Sequence, residues 1–300
     1  MDAGERFTVE RSVGTGSDRI ELVGWRWGTG PVRGVLLHAG VCDSRSWPGV
    51  VEHLRAGEGS SAVDDSGAWV AYDRRGFGET PYTPGPYSHL DDLLAVLDAI
   101  AGDVPVWLVG SSMGGGLALD AAISAPERIA GLVLIAPGVS GRPGERPTGP
   151  AVLKLWNAVE AADKAGDLAE VSRLETVIWL DGPAGGAGRV GGAARELALA
   201  MDLLVNQKQP MEADETAGPS GVDAWSRLGE IEVPVTVVWG DLDVEAAGVP
   251  AIVSRITGAR SIELAGRAHL PYLEDPAQTA TIVATALGDA GDRSSAHVGG

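Results

Sequence analysis

Three residue types in this chain, a serine, a histidine and an aspartate, are spaced so that together they could attack an acyl carbonyl. The serine is Ser112, at the centre of Gly110-Ser111-Ser112-Met113-Gly114, a match to G-x-S-x-G. A serine hydroxyl is a poor nucleophile near neutral pH, so it needs a base to take its proton and a third group to orient that base. The pattern supplies the first requirement for exposure. A serine on a tight strand-to-helix turn is forced into a strained backbone, and glycines two residues to either side let the chain bend without a Cβ clash. Ser111 fails this register, because Val109 and Met113 would flank it. With 43 glycines in the chain, composition alone comes close to producing the pattern by chance. Context strengthens it. Residues 106–109 (Val-Trp-Leu-Val) suit a buried strand and residues 117–125, rich in Ala and Leu, suit a helix, as an exposed nucleophile at a sheet edge requires.

Five histidines could serve as the base. His297 lies in a polar tail. His53 and His89 fall on or beside helices and are expected to face solvent. His38 ends a strand ahead of Ser112 and is expected to shape its own loop by hydrogen bonding. His269 follows the last strand and precedes Leu270-Pro271, which makes it the choice for the base. Its carboxylate partner is expected to be Asp243, after Trp239-Gly240 at the end of the preceding strand, with Asp241 as the near competitor. Cys42 has no base paired with it in the sequence and reads as a small filler residue.

These groups need a scaffold. Residues 7–12 and 20–27 read as two strands joined through a hairpin signal at 14–18. Apolar runs at 34–38, 69–72, 106–109, 129–136, 235–239 and 261–264 read as buried strands, separated by helices near 44–55, 89–100, 117–125, 250–257 and 276–287. Such alternation predicts an α/β fold, a mostly parallel sheet of about eight strands with helices on both faces. Ligands of such sheets bind beyond the carboxyl ends of the strands, where His38, Asp73 and Ser112 all fall. From Pro137 the style changes. Residues 138–150 are linker-like, and 151–221 carry no strand signal, with helices expected over 151–179 (broken near Gly166-Asp167) and 193–207. This reads as an all-helical insertion. Residues 288–300 read as a frayed tail.

Composition narrows the class. The chain has 300 residues, 44% hydrophobic, and a formal net charge of −18. That charge argues against nucleic acid and against an anionic membrane surface. A lone cysteine allows no internal disulfide, no Cys/His cluster has zinc-ligand spacing, and no run approaches a membrane span. With no apolar signal region near its start, the chain is expected to be soluble and cytoplasmic. A small molecule with an apolar part is the expected partner; the oligomeric state is not legible.

Taken together, the chain resembles the α/β-hydrolase fold superfamily over nearly its full length. Leu36-Leu37-His38-Ala39-Gly40 is similar to the family's oxyanion loop, Asp73-Arg74-Arg75-Gly76-Phe77-Gly78 to its D-x-R-G-x-G loop, and residues 110–114 to its nucleophile elbow. Gly240-Asp241-Leu242-Asp243 is similar to its acid loop. His269-Leu270-Pro271, with Glu274 and Pro276, is similar to its histidine segment. The resemblance implies a Ser112–Asp243–His269 triad and an oxyanion hole from the Met113 and Gly40 N–H groups, with Val41 the alternative because Ala39 replaces the family's usual glycine. Each donor is typically worth ~3 kcal/mol. It also implies a core of 1–137 and 222–300 with a cap over 138–221, and no metal or organic cofactor. The family often has histidine where this chain has Ser111. His38, Val41, Trp156, Trp179 and Met201 are the candidates to line substrate, with Leu204 and Trp225 behind them. A serine at the elbow, where relatives that cleave carbon–halogen bonds or epoxides carry aspartate, favours hydrolysis of a small carboxylic ester or related acyl compound. The alternatives are carbon–carbon bond hydrolysis in a diketone-like metabolite and a ligand receptor with slow residual hydrolysis.

Overall fold

The computed structural model describes residues 4–12, 19–58, 67–83, 86–143, 149–208 and 221–297, the stretch 291–297 by its backbone alone. Eight strands form one sheet: β1 (Glu5–Ser12), β2 (Arg19–Trp27), β3 (Val32–Leu37), β4 (Ala68–Tyr72), β5 (Val106–Ser111), β6 (Ile129–Ile135), β7 (Val235–Gly240) and β8 (Arg260–Leu264). Their order is β1-β2-β4-β3-β5-β6-β7-β8. The β1–β2 and β2–β4 pairs are antiparallel and every later pair is parallel. The chain crosses from β4 over β3 to β5, so the order reverses at β3. Loops beyond the carboxyl ends of β3 and β5 therefore open a crevice between helices on opposite faces.

Period-two alternation in the strands divides the core. Val35, Leu37, Leu108, Leu132, Leu134 and Val237 face one layer, with Leu93 and Leu97 of α2 (His89–Ala101) and Leu119 of α3 (Met113–Ser124). Their neighbours Leu36, Val109, Val133, Ile135 and Val238 face the other, with Val50 and Val51 of α1 (Pro48–Glu58) and Val283 of α10 (Pro276–His297). Apolar residues on both faces are what a sheet covered on both sides demands. Each such side chain contributes ~1.5–3 kcal/mol when fully buried.

Between β6 and β7 lie α4 (Pro150–Lys164), α5 (Leu168–Thr176) and α6 (Gly192–Lys208), with no strand among the described residues there. The break between α4 and α5 falls where the sequence placed it. Gly166 takes φ +70°, and the Asp167 side chain accepts the Glu170 N–H to start α5. After α5 the helix widens into a π turn, Val177–Asp181. Short helices α7 (Ala224–Arg227), α8 (Val249–Val253) and α9 (Pro271–Glu274) complete the fold.

Two details differ from the sequence reading. The helix expected near 44–55 opens as a short 3-10 turn (Ser44–Ser46), capped by the Asp43 side chain, which accepts the Arg45 N–H, and α1 begins at Pro48. The tail expected to fray is helical in its backbone to His297: α10 runs on past Leu287 through Gly288 and Gly291, with no proline to stop it. The hairpin signal at 14–18 and most of the polar stretch before Gly221 lie outside the described residues.

Candidate active site

The turn between β5 and α3 is fixed by its main chain. Ser112 sits at φ +51°, ψ −115°, one of three non-glycine residues with positive φ among those described. Strain of this kind, of order 1–3 kcal/mol, persists only where the surroundings over-determine it. A Cβ on Gly110 would stand 2.4 Å from the Gly114 carbonyl oxygen, and one on Gly114 would stand 2.3 Å from that of Leu37. Both glycines are therefore demanded by close backbone approach. The Ser112 N–H donates to the Ile135 carbonyl (2.9 Å) and its own carbonyl accepts from Gly138 N–H (2.9 Å), which ties the elbow to β6. Ser111 is fully buried beside it. Ser112 is half-buried and lines a cleft of about 320 Å³ together with His269 and Trp179.

The histidine and aspartate loops meet through equally tight main chain. A Cβ on Gly240 would lie 2.1 Å from the Arg267 carbonyl oxygen, and Leu242 N–H donates to that same oxygen (2.9 Å). This brings Asp243 Oδ2 to 2.9 Å from His269 Nδ1, with both side chains almost wholly buried. The second oxygen, Oδ1, accepts the Glu245 N–H (2.9 Å), which fixes the carboxylate plane. Asp241, the competitor, is exposed and accepts the Gly266 N–H (2.7 Å), so it organises the loop and does not face the histidine. Met113 is the first residue of α3, where helix geometry leaves an N–H without an intrahelical acceptor. Gly40 is beside it: a Cβ there would meet Met113 Cε at 3.3 Å.

The sequence model of the Alpha/beta hydrolase family matches residues 35–282, which span every loop just described. The chain belongs to the alpha/beta hydrolase family. This hydrolase is 27% identical over 265 residues to the pimeloyl-[acyl-carrier protein] methyl ester esterase of Aeromonas hydrophila, a match covering 86% of this chain and 96% of that protein. It is 27% identical over 261 residues to a putative 2-succinyl-6-hydroxy-2,4-cyclohexadiene-1-carboxylate synthase of Bacillus subtilis, covering 84% and 89%. Among solved structures, a hydrolase from Pseudomonas aeruginosa PA01 superposes with a TM-score of 0.72 at 25% identity, covering 96% of this chain and all of that one. This protein is a hydrolytic enzyme. No helix among the described residues is long and apolar enough to cross a membrane.

Around its reacting groups the hydrolase carries structural contacts that the sequence only partly showed. His38, a candidate to line substrate, is 1% exposed and committed to main chain: Nε2 accepts the Arg74 N–H (3.2 Å) and Nδ1 lies 2.8 Å from the Ala39 carbonyl. Nδ1 therefore carries the proton. Burial, then the Arg74 charge, holds its pKa well below the usual imidazole range. His38 is thus a loop-holding group. Asp73 is likewise buried, accepting from the Ser44 and Glu79 N–H groups (2.8 and 2.7 Å), and burial followed by the nearby Asp43 raises its pKa to about 6. Arg75 forms a two-pronged pair with Asp92 of α2 (2.6 and 2.9 Å).

The other candidates separate clearly. Trp179, on the π turn, packs its ring 4.6 Å from that of His269, and its carbonyl accepts the His269 N–H (3.1 Å). Trp156 of α4 meets Trp179 edge-on at 5.6 Å. Val41 lines a small gap of about 10 Å³ beside Trp179 and Leu270. Met201 is fully buried in packing shared with Leu180 and Cys42, away from the cleft. Of the two more distant candidates, Trp225 packs against the Arg142 and Arg255 guanidinium groups. Cys42 accepts a hydrogen bond from Tyr272 Oη at 3.6 Å, and burial pushes its thiol up to about 12, consistent with filler. His89, expected in solvent, is half-buried with Nδ1 shut off from water.

Sequence reading missed the network that holds Trp179. Asp181, at the end of the π turn, accepts the Gly188 and Val190 N–H groups (2.8 and 3.0 Å) and pairs with Arg195 (2.8 Å). Arg189 donates to the Leu180 and Asp181 carbonyls and pairs with Glu274 (2.5 Å), whose other oxygen accepts the Ala268 N–H beside His269. The only advance signal was an aspartate closing an apolar helix before a glycine-rich loop that carries an arginine.

Proposed function

We propose that this hydrolase cleaves small carboxylic esters, or closely related acyl compounds, through an acyl-enzyme on Ser112. The observation that carries the reading is the buried 2.9 Å contact between His269 Nδ1 and Asp243, on a histidine that shares a cleft with Ser112. The likeness to a pimeloyl-[acyl-carrier protein] methyl ester esterase supports an ester as the bond broken. In this mechanism His269 Nε2 accepts the Ser112 proton as Oγ attacks the carbonyl carbon. Asp243 holds the imidazole in the Nδ1–H tautomer and stabilises its cation. The Met113 and Gly40 N–H groups receive the oxyanion as it forms, and Val41 N–H is the alternative second donor. The tetrahedral intermediate collapses with proton transfer from His269 to the leaving alkoxide. Water, deprotonated by the same histidine, then releases the acid and restores Ser112.

Residues 138–221 act as a cap in this reading, with 1–137 and 222–300 as the core. The arrangement that supports a cap is the Trp156–Trp179–His269 contact series, which lays the helical insertion against the histidine loop. Hydrolysis of p-nitrophenyl acetate and butyrate by wild type and Ser112→Ala tests the reading. Turnover abolished by the substitution is expected. Equal turnover by both proteins would refute it.

A further inference from the structure

Beside the catalytic cleft lies a second cavity of about 220 Å³. One wall is a stripe of α3, with Met113, Leu117 and Asp120 at helical spacing. Gly138 and Val139 line both this cavity and the cleft that holds Ser112, so the two spaces share a wall. Arg74 and His89 line it too.

Arg74 is the unusual group. It is 1% exposed, yet among the described residues its guanidinium meets no carboxylate: one nitrogen, Nη2, donates to the Ala39 carbonyl (3.2 Å) and lies 3.2 Å from His38 Nδ1, while Nε and Nη1 have no partner there. The Phe77 ring beneath it, 4.8 Å away, offers only a weak counterpart. Its sequence neighbour shows the ordinary solution, since Arg75 is equally buried and fully paired with Asp92. A buried cation without a counter-ion is strongly unfavourable, and an anion arriving beside it removes that cost. His89 lines the same wall, and burial, then Arg74 and Arg75, lowers its pKa to about 3, so its ring is neutral and carries one N–H. Among the described lining residues the one carboxylate, Asp120, lies two turns along α3 from Met113, roughly 10 Å at 1.5 Å per residue. Its Oδ1 accepts the Ser140 hydroxyl (2.6 Å).

We propose that this cavity is a carboxylate subsite, in which Arg74 with His89 binds a free carboxylate on the acyl part of the substrate while the ester at its other end reaches Ser112. The preferred substrates are then half-esters of short dicarboxylic acids. This rests on the ester-hydrolase reading above. Arg74 also holds the oxyanion loop through Ala39, so its loss slows every ester to some degree; the subsite is read in the difference between charged and neutral substrates.

The test compares monomethyl glutarate with methyl pentanoate, and measures glutarate binding by thermal shift at constant ionic strength. Wild type is expected to show a KM at least tenfold lower for the half-ester and a glutarate-induced rise in Tm. Arg74→Gln should abolish that rise and raise KM for the half-ester about tenfold or more, while KM for methyl pentanoate stays within about threefold. Asp120→Asn, which removes the opposing charge, should tighten glutarate. Equal KM values for the two esters in wild type, or parallel losses on both in Arg74→Gln, would leave Arg74 a loop-holding residue and overturn the subsite. Failure of the ester reading looks different: neither ester turns over. The glutarate arm decides the subsite even then, because it needs no catalysis, and no Tm rise in wild type overturns it.

Discussion

The elbow and the π turn both border the cleft that His269 lines, and they are held by opposite means. At the elbow, main chain packs on main chain: Gly110 and Gly114 leave no room for a Cβ, and Ser112 is driven to positive φ. At the π turn, side chains hold the backbone: buried Asp181 is satisfied by two N–H groups and Arg195, and Arg189 ties the turn to Glu274. Steric over-determination fixes one geometry and tolerates no substitution. A charge network fixes a geometry only while each partner keeps its charge, so the π turn is the part of the cleft wall whose position depends on single side chains.

The largest effects should fall on the elbow side. Ser112→Ala should lower kcat by 10⁴-fold or more, measured on p-nitrophenyl butyrate. Asp243→Asn should cost about 10³–10⁴-fold through the wrong histidine tautomer, whereas Asp241→Asn costs less than about tenfold. Reversal of those two would move the acid to Asp241. Gly114→Ala sharpens the steric half of the comparison: a methyl at 2.3 Å from the Leu37 carbonyl has no flexible neighbour to displace, and a loss of about 3 kcal/mol in urea unfolding is expected.

On the other side, Asp181→Asn should destabilise by about 2–3 kcal/mol, because it takes the carboxylate charge from Arg195 and weakens two N–H contacts. Faster proteolysis within residues 182–192, with the elbow unaffected, would show that the insertion loosens separately. The smallest effect belongs to Trp179→Phe, which retains an aromatic ring against His269; kcat/KM should fall by no more than about fivefold. A loss near that of Asp243→Asn would mean that the indole does more than pack.

The same contrast explains what could be read in advance. The elbow and the loops that carry Asp243 and His269 were legible because close backbone approach demands glycine at fixed spacing from the polar residue of each turn. The sheet was legible because both its faces are buried, which writes uninterrupted apolar runs into β3 to β7. The insertion was legible as helices but not as a site. Nothing in its periodicity separates Trp179, which lies on the histidine, from Met201, which is buried in packing. The partners of Asp181 are two backbone N–H groups and two arginines on a glycine-rich loop and the next helix, and no local pattern links them. His89 was misplaced for a similar reason, since a residue at a helix start shows no burial signal of its own. Arg74 and Arg75 are adjacent and chemically alike, and only the fold distinguishes the one with a carboxylate from the one without.

The central claim is that Ser112 becomes acylated. Reaction with a fluorophosphonate, followed by peptide mass spectrometry, tests this most directly. The account predicts one adduct, on Ser112 and not on the buried Ser111, formed by wild type, strongly slowed in Asp243→Asn and absent in Ser112→Ala. No adduct in wild type, or an adduct that survives in Ser112→Ala, would contradict it.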